Sequence, residues 1–354
     1  VAVDAQTLET LKMHSNRLLF IQTAFIGDAI LALPALQKLK ENDPSCLIDV
    51  MCIPESRQIF NSSPYVDDVI VLDKKGIHKS LFNTLKLVHK LKSKNYSKIY
   101  SAHRSFRSSV IVLFLGVKES FGFDNSTFNI VYKNLIKYDD STHEVQRNLN
   151  LIGFIYNEED WRIKPEILAD DFAKNKIVSF LKEKEIYNNF IVIAPGTVWE
   201  TKKYPKKYFE EIISYLLEKK YKIFLLGGIQ DKEICSSLAK KYDVNVIDTS
   251  GLFSVVESVE LLRKAKLLIS NDSAPTHMGM AADIKVLTIY CSTVSSFGFY
   301  PYNSKSRFVS YDELDCKPCG IHGHKKCPIN TFACGENLKP KIIISNIAGM
   351  LNDN

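Results

Sequence analysis

Short apolar runs alternate with helix-like segments twice along this chain, and that alternation limits the fold more than any other feature. In the first half the runs are residues 18–21, 48–53, 69–72 and 99–101, separated by segments such as 29–40 and 81–92. The pattern restarts at 190–194 and continues through 223–226, 246–247, 267–270 and 286–290, interleaved with 208–219, 232–241, 255–264 and 275–282. Runs too short for helices, each followed by a helical period, predict parallel strands with crossover helices. Two doubly wound α/β domains follow. Residues 157–169 are polar, carry Pro165 and lose periodicity, which marks a linker. The expected division is 13–165, 166–338 and a terminal helix over 339–354 that packs back on the first domain. Ligands of open parallel sheets sit beyond the carboxyl ends of the strands, so the two domains are expected to face a cleft.

At 354 residues, with 45% hydrophobic composition, the chain is long enough for two cores. Its net charge is +6, with Lys and Arg interspersed with Asp and Glu, a mild bias toward anionic partners. The basic residues form no stripe interleaved with aromatics, which argues against a nucleic-acid partner. No apolar run reaches the roughly 18 to 20 residues a membrane span needs, and no signal-like start is seen, so a cytoplasmic protein is expected. Residues 1–12 read as a remnant or a helical extension and are left out of the fold argument.

Chemistry is expected where strands turn into helices. Asp28, in the run Phe25, Ile26, Gly27, Asp28, Ala29, stands at the first such turn, either capping its helix or serving as a reactive carboxylate. Asn271, Asp272, Ser273, Ala274, Pro275, Thr276 and His277 form a strand end and helix start whose amides suit an anion, or an ordinary cap with His277 packed inside. After the first run of the second half, Gly196, Thr197, Lys202 and Lys203 supply a hydroxyl and cations suited to a diphosphate, or a solvated loop. Gly227 and Gly228 permit close backbone approach to a nucleotide. The sequence has neither GxGxxG nor a Walker A motif, against ordinary NAD or P-loop chemistry. Arg104 and Arg107 follow run 99–101 and suit phosphate or carboxylate, or surface ion pairs.

Four of the eight cysteines read as small core residues. Cys316, Cys319, Cys327 and Cys334, with His322 and His324 among them, supply enough thiolates for a structural zinc, or form a loop of free thiols.

In this order, Gly27 and Asp28, the segment Lys202, Lys203, Tyr204, Pro205, the stretch from Asn271 to His277 and the terminal cysteine loop resemble glycosyltransferase family 9, the lipopolysaccharide heptosyltransferases. The residues around His103 to Ser108 and the Cys-Lys-Pro-Cys loop look closest to the heptosyltransferase II branch. The resemblance covers nearly all of residues 17–351. It implies a GT-B fold of two Rossmann-like domains, acceptor-binding first and nucleotide-sugar-binding second, and inverting transfer of heptose from ADP-heptose without a metal or other cofactor. Asp28 matches the general base and Lys202 the lysine beside the departing diphosphate. Thr197, Gly228, Phe253, Asp272, Ser273, Ala274 and His277 correspond to donor-binding positions, and Arg104 and Arg107 to the acceptor side. Ala274 stands where the family commonly has Gly, and Gln230 where it often has a charged residue. The implied acceptor is an anionic lipid-linked saccharide of the lipopolysaccharide core, with peripheral contact at the inner membrane. A related transferase using another nucleotide sugar or acceptor and a bilobal solute-binding protein are the competing expectations.

Overall fold

The computed structural model describes residues 16–186 and 189–352; residues 1–12, set apart above, lie outside them. The chain divides into two compact units, residues 1–139 with 144–166, and residues 140–143 with 167–354.

The first unit contains β1 (Arg17–Ile21), α1 (Ile26–Asn42), β2 (Leu47–Cys52), α2 (Arg57–Asn61), β3 (Asp68–Val71), α3 (Leu81–Lys92), β4 (Lys98–Ser101), α4 (Phe106–Leu115), β5 (Glu119–Phe123), β6 (Asn134–Ile136) and α5 (Glu144–Leu151). Its six strands are parallel, in the order β3-β2-β1-β4-β5-β6. Strand β1 is buried along nearly its whole length, so both faces must be apolar, and Leu18, Leu19, Phe20 and Ile21 satisfy that. Two strands of this unit escaped the sequence reading, as did Arg307–Ser310 of the second: Glu119–Phe123 mixes in Glu119 and Gly122, and β6 is three residues long.

The second unit contains α6 (Asp171–Glu183), β7 (Phe190–Ala194), α7 (Lys206–Glu218), β8 (Lys222–Leu225), α8 (Lys232–Ala239), β9 (Val246–Asp248), α9 (Val255–Arg263), β10 (Leu268–Asn271), α10 (Ala274–Ala282), β11 (Val286–Tyr290), β12 (Arg307–Ser310), α11 (Ala333–Glu336) and α12 (Pro340–Asn352). Its sheet is again parallel and six-stranded, in the order β12-β11-β10-β7-β8-β9. Counting strands within each unit, both sheets follow 3-2-1-4-5-6. The terminal helix corrects one expectation. Ile343, Ile347 and Met350 of α12 are buried in the core of the second unit, beside Ile212, Ile213 and Leu216 of α7. Burial of three such side chains, at roughly 1.5 to 3 kcal/mol each, explains the docking.

Asp49 of β2 ties the lower end of the first sheet together. It is fully buried, accepts two bonds from Arg17 Nη1 at 2.8 and 2.9 Å, one from Lys94 Nζ at 2.6 Å and one from Tyr96 Oη at 2.7 Å. A carboxylate taken out of water needs such saturation. Asp49→Ala would leave Arg17 without its counter-charge and Lys94 with Asp68 alone, and an unfolding titration of the first unit is expected to show a loss of about 3 kcal/mol.

Candidate active site

In each sheet the strand order reverses between the first and fourth strands of the unit, and the loops at their carboxyl ends part there. In the second unit these are β7 and β10. Lys202 lies in the turn Glu200–Lys202 that follows β7, and Asp272 and Ser273 follow β10. The Lys202 ammonium stands 2.6 Å from Asp272 Oδ2, with both side chains largely buried, and Thr293 Oγ1 donates to the same oxygen at 2.7 Å. Asn271 fixes the two loops to each other. Its Nδ2 donates to the Pro195 carbonyl at 2.8 Å, and its Oδ1 accepts from the Tyr204 amide at 3.0 Å.

Ser273 precedes α10 in an extended conformation and makes no side-chain cap bond, so the first turn of this nine-residue helix keeps its positive end for another acceptor. Ala274 is the first helical residue and Pro275 the second, a position where the missing N–H costs nothing. His277, one turn in, is buried, and its Nδ1 has no hydrogen-bond partner among the described residues. Burial pushes its pKa down to about 4; the Asp272 carboxylate opposes that shift and the Lys202 ammonium adds to it. Thus Lys202, Asp272, Ser273, Ala274 and His277 form one cluster in which a cation and helix amides are held ready for an anion.

The remaining second-unit candidates lie further along the same sheet edge. Thr197 is three residues beyond β7, and Gly228 follows β8. The two glycines here have a reason the sequence did not reveal. A Cβ at Gly196 would come within 2.1 Å of Asp231 Oδ1, and one at Gly227 within 2.6 Å of Asp231 Cβ. Asp231 thus packs between the β7 and β8 loops, accepting from the Gly228 amide at 2.9 Å, and burial raises its pKa. Phe253 stands apart, packed edge-on against Phe180 with the Lys176 ammonium 5.5 Å from its ring centre.

The cysteine loop buttresses Lys202. The Thr201 amide donates to the His324 carbonyl and the His324 amide to Thr201 Oγ1, at 3.1 and 2.8 Å, while the Cys319 amide donates to the Ser292 carbonyl at 2.9 Å. Gly323 has φ +78°, and a Cβ there would meet Thr201 Oγ1, Ser292 Oγ and Lys202 Cγ within 3.1 Å. Among the described residues no group of three or more His, Cys, Asp or Glu is placed to hold a metal ion, so the zinc alternative for Cys316, Cys319, Cys327 and Cys334 has no geometric support.

In the first unit the reversal falls between β1 and β4. Asp28 is the third residue of α1, partly buried, and accepts from the Phe25 amide at 3.2 Å. Facing that turn is a cationic group. Lys74 Nζ donates to the Thr23 carbonyl at 2.6 Å, and Thr23 Oγ1 shares a 2.7 Å bond with His103 Nδ1. Burial, with the charges of Lys74 and Arg104, holds the His103 pKa down at about 4. The Arg104 guanidinium lies 3.9 Å from the centre of the Tyr138 ring. Arg107 is committed to structure, since it donates to the carbonyls of His78 and Lys79 and so ties the β3–α3 loop to α4.

Glu144 completes this neighbourhood. It is buried against Arg147 Nη1 at 3.1 Å, and its pKa is pushed up to about 7 by burial and by the charge of Asp28, opposed by Arg147 and Arg104. A carboxyl group raised by burial and by a neighbouring carboxylate is the kind of perturbed group that active sites collect, as buried ion-pair networks also do. Lys74, Glu144 and Asp231 were missed in the sequence, although Lys74 and Asp231 each lie just past the carboxyl end of a strand.

The profile of glycosyltransferase family 9 (heptosyltransferase) matches residues 84–329. The chain belongs to this family. It is a glycosyltransferase, with the two Rossmann-like domains of the GT-B fold. Lipooligosaccharide heptosyltransferase 2 of Campylobacter jejuni is 24% identical, over 91% of this chain and 95% of its own length. The family 9 structure from Veillonella parvula superposes with a TM-score of 0.85 at 19% identity, covering 96% of this chain and 98% of that one. An Escherichia coli heptosyltransferase solved with ADP-2-deoxy-2-fluoro heptose gives 0.70 at 20% identity, covering 94% and 99%. Relatives named heptosyltransferase 1, 2 and 3 match at 22%, 21% and 22% identity, so family 9 membership does not single out the second branch.

The buried His277 yields a pH test. Its folded pKa of about 4 lies below the ordinary 6.5, so the unfolded chain binds a proton that the folded one excludes. Stability is therefore lost as pH falls from about 6.5 toward 4, by about 2 kcal/mol between pH 7 and 5 from this group. Urea unfolding of the second unit at both pH values is expected to show that His277→Gln removes most of this loss.

Proposed function

We propose that this glycosyltransferase moves heptose from ADP-heptose onto a heptosyl-Kdo-lipid A type acceptor of the lipopolysaccharide inner core, with inversion at the anomeric carbon. The observation that carries the reading is the cluster at the β7/β10 reversal, where Lys202 and the first turn of α10 converge on one point. A diphosphate leaving group gains charge as its bond to the sugar breaks, and fixed donors aimed at it are worth most in a site largely shielded from water. Asp272 holds Lys202 in place, and Asp231 and Gly228 offer polar atoms near the nucleoside.

In this reading Asp28 is the general base. The acceptor hydroxyl oxygen attacks the anomeric carbon, its proton passes to the Asp28 carboxylate, and the bond from that carbon to the diphosphate breaks, releasing ADP with the electron pair. Lys74 and Arg104 attract the anionic acceptor, while Arg107 shapes the loop that carries Lys74. Because the acceptor is lipid-linked, the protein works in peripheral contact with the inner membrane.

Incubation with ADP-heptose and truncated lipopolysaccharide cores, read by product mass and anomeric configuration, tests the reading. A mass gain of one heptose with inverted configuration is expected; no transfer from ADP-heptose, with transfer from another nucleotide sugar, would overturn the donor assignment. Asp28→Asn is expected to lower turnover by at least 1,000-fold while donor affinity changes less than threefold. Lys202→Ala is expected to weaken both ADP binding and turnover, with turnover falling at least 100-fold.

A further inference from the structure

The positive charge of this chain is not evenly spread. Residues 74–137 hold thirteen Lys and Arg against two Asp and Glu, and with the whole chain at +6 everything outside that segment is net −5. The same segment carries exposed apolar side chains. Ile77, Leu81, Phe82, Phe106, Phe128 and Ile130 are between 43% and 79% exposed. They are brought together by the fold: α3 packs on α4, α4 packs on the turn Asn129–Val131, Arg107 of α4 holds the carbonyls of His78 and Lys79, and the Phe106 and Phe128 rings lie 5.9 Å apart.

Two details indicate that this surface is built for contact. Phe128 has φ +83°, a region that a bulky residue enters only at a cost, and its ring is nevertheless left part-exposed. Helix α4 lacks the polar outer face expected of a surface helix, since Phe106, Leu113 and Phe114 occupy its exposed positions. Around the apolar group stand the exposed Lys75, Lys79 and Lys86, the last with its ammonium 4.5 Å from the centre of the Phe82 ring.

Resting on the reading that the acceptor is lipid-linked, we propose that this surface, formed by the β3–α3 loop, the first turns of α3 and α4 and the turn around Phe128, seats the first unit on an anionic phospholipid bilayer. Apolar side chains enter the boundary between headgroups and acyl chains while lysines meet the phosphates; neither signal alone gives stable binding. The helix starts at Leu81 and Phe106 follow the carboxyl ends of β3 and β4, the edge of the sheet that carries Asp28, Lys74 and Arg104. The Thr127 amide donates to the Arg104 carbonyl at 2.9 Å, which joins the Phe128 turn to that cluster. Seating this rim brings the candidate acceptor site to headgroup level, where the saccharide of a lipid-linked acceptor begins. Lys94 and Lys98 of the same segment stand at the opposite end of the sheet, paired with Asp49, Asp68 and Glu119, so the cations that face an anionic surface are those of the rim, Lys74, Lys75, Lys79 and Arg104.

Co-sedimentation with vesicles of phosphatidylglycerol and phosphatidylethanolamine, against phosphatidylcholine alone, tests the proposal. The protein is expected to bind the anionic vesicles, to bind the neutral ones at least tenfold less and to detach in high salt. The pairs Ile77→Ser with Phe82→Ser, and Lys75→Glu with Lys79→Glu, are each expected to reduce binding about tenfold or more. All four side chains are exposed, so the unfolding temperature is expected to stay unchanged and confirms that each variant is folded. Transfer to a water-soluble acceptor fragment should persist in both pairs and transfer to vesicle-embedded acceptor should fall. Unchanged vesicle binding in both pairs overturns the proposal, as does binding to RNA in place of vesicles or a loss of self-association as the only effect. Vesicle binding through this face by a protein that fails to transfer heptose would leave the proposal standing and remove the functional reading instead.

Discussion

Everything functional in both units depends on one constraint of parallel sheets. A right-handed crossover places its helix on one face or the other according to the direction in which the next strand is added. Where that direction reverses, between β1 and β4 and again between β7 and β10, neighbouring loops diverge and leave room at the carboxyl ends of the two central strands. Elsewhere along the edge the loops crowd one another. At the reversal in the second unit a helix start, a loop cation and a carboxylate meet, and Lys202 and Asp272 come together there although 70 residues separate them. The same geometry brings Thr23 to His103 in the first unit.

The two reversals are charged differently. In the second unit the cation is already paired, and Asp272 is held by Lys202 and Thr293 at once. Largely desolvated pairs of this kind gain little stability in themselves, because the cost of leaving water offsets most of the attraction. Their effect is positional, and the surroundings reinforce it: Thr201 is locked by the cysteine loop on one side and by Ser292 on the other. A phosphate arriving at α10 would meet a lysine whose position is fixed in advance, so little reorganisation remains at the moment of reaction. In the first unit the cations Lys74 and Arg104 bond to a backbone carbonyl and stack on an aromatic ring, which leaves their charges uncompensated by a direct carboxylate partner among the described contacts.

How far the sequence reached follows from the range of the interactions. Asp28, Lys202 and the stretch from Asp272 to His277 were singled out because each sits at a local change from strand to helix, visible within ten residues. Lys74 and Glu144 were not, because what matters about them is a neighbour tens of residues away: Lys74 acquires meaning from Thr23, Glu144 from Asp28 and Arg147. Gly227 and Gly228 were read as permitting close approach to a nucleotide, whereas Asp231 fills the space beside Gly227 and accepts from the Gly228 amide. The cysteine spacing left a zinc site and a loop of free thiols both open because thiol spacing is a local signal, while the contacts that hold the loop, to Thr201 and Ser292, are not local. For the terminal helix, amphipathicity showed that a face must be buried and could not show against which unit. Charge was misread for the opposite reason: reading it as interspersed along the whole chain concealed a segment of 64 residues with almost no acid.

That concentration bears on how a chain of modest net charge recognises a surface. A protein uniformly at +6 would be attracted to an anionic bilayer in many orientations, each weakly, with most of them turning the reactive edge of the sheet away. A cluster of cations on one rim, Lys74, Lys75, Lys79 and Arg104, changes this, because the field they share favours the orientation that turns the rim to the bilayer before any apolar side chain makes contact. The apolar residues then act over short range, and their placement on the same strand-end rim as Lys74 and Arg104 means that docking and acceptor capture draw on a single patch of positive potential. Long-range charge therefore sets orientation, Phe82 and Phe128 set depth, and the carboxyl-end reversal of β1 and β4 sets where the chemistry stands relative to both.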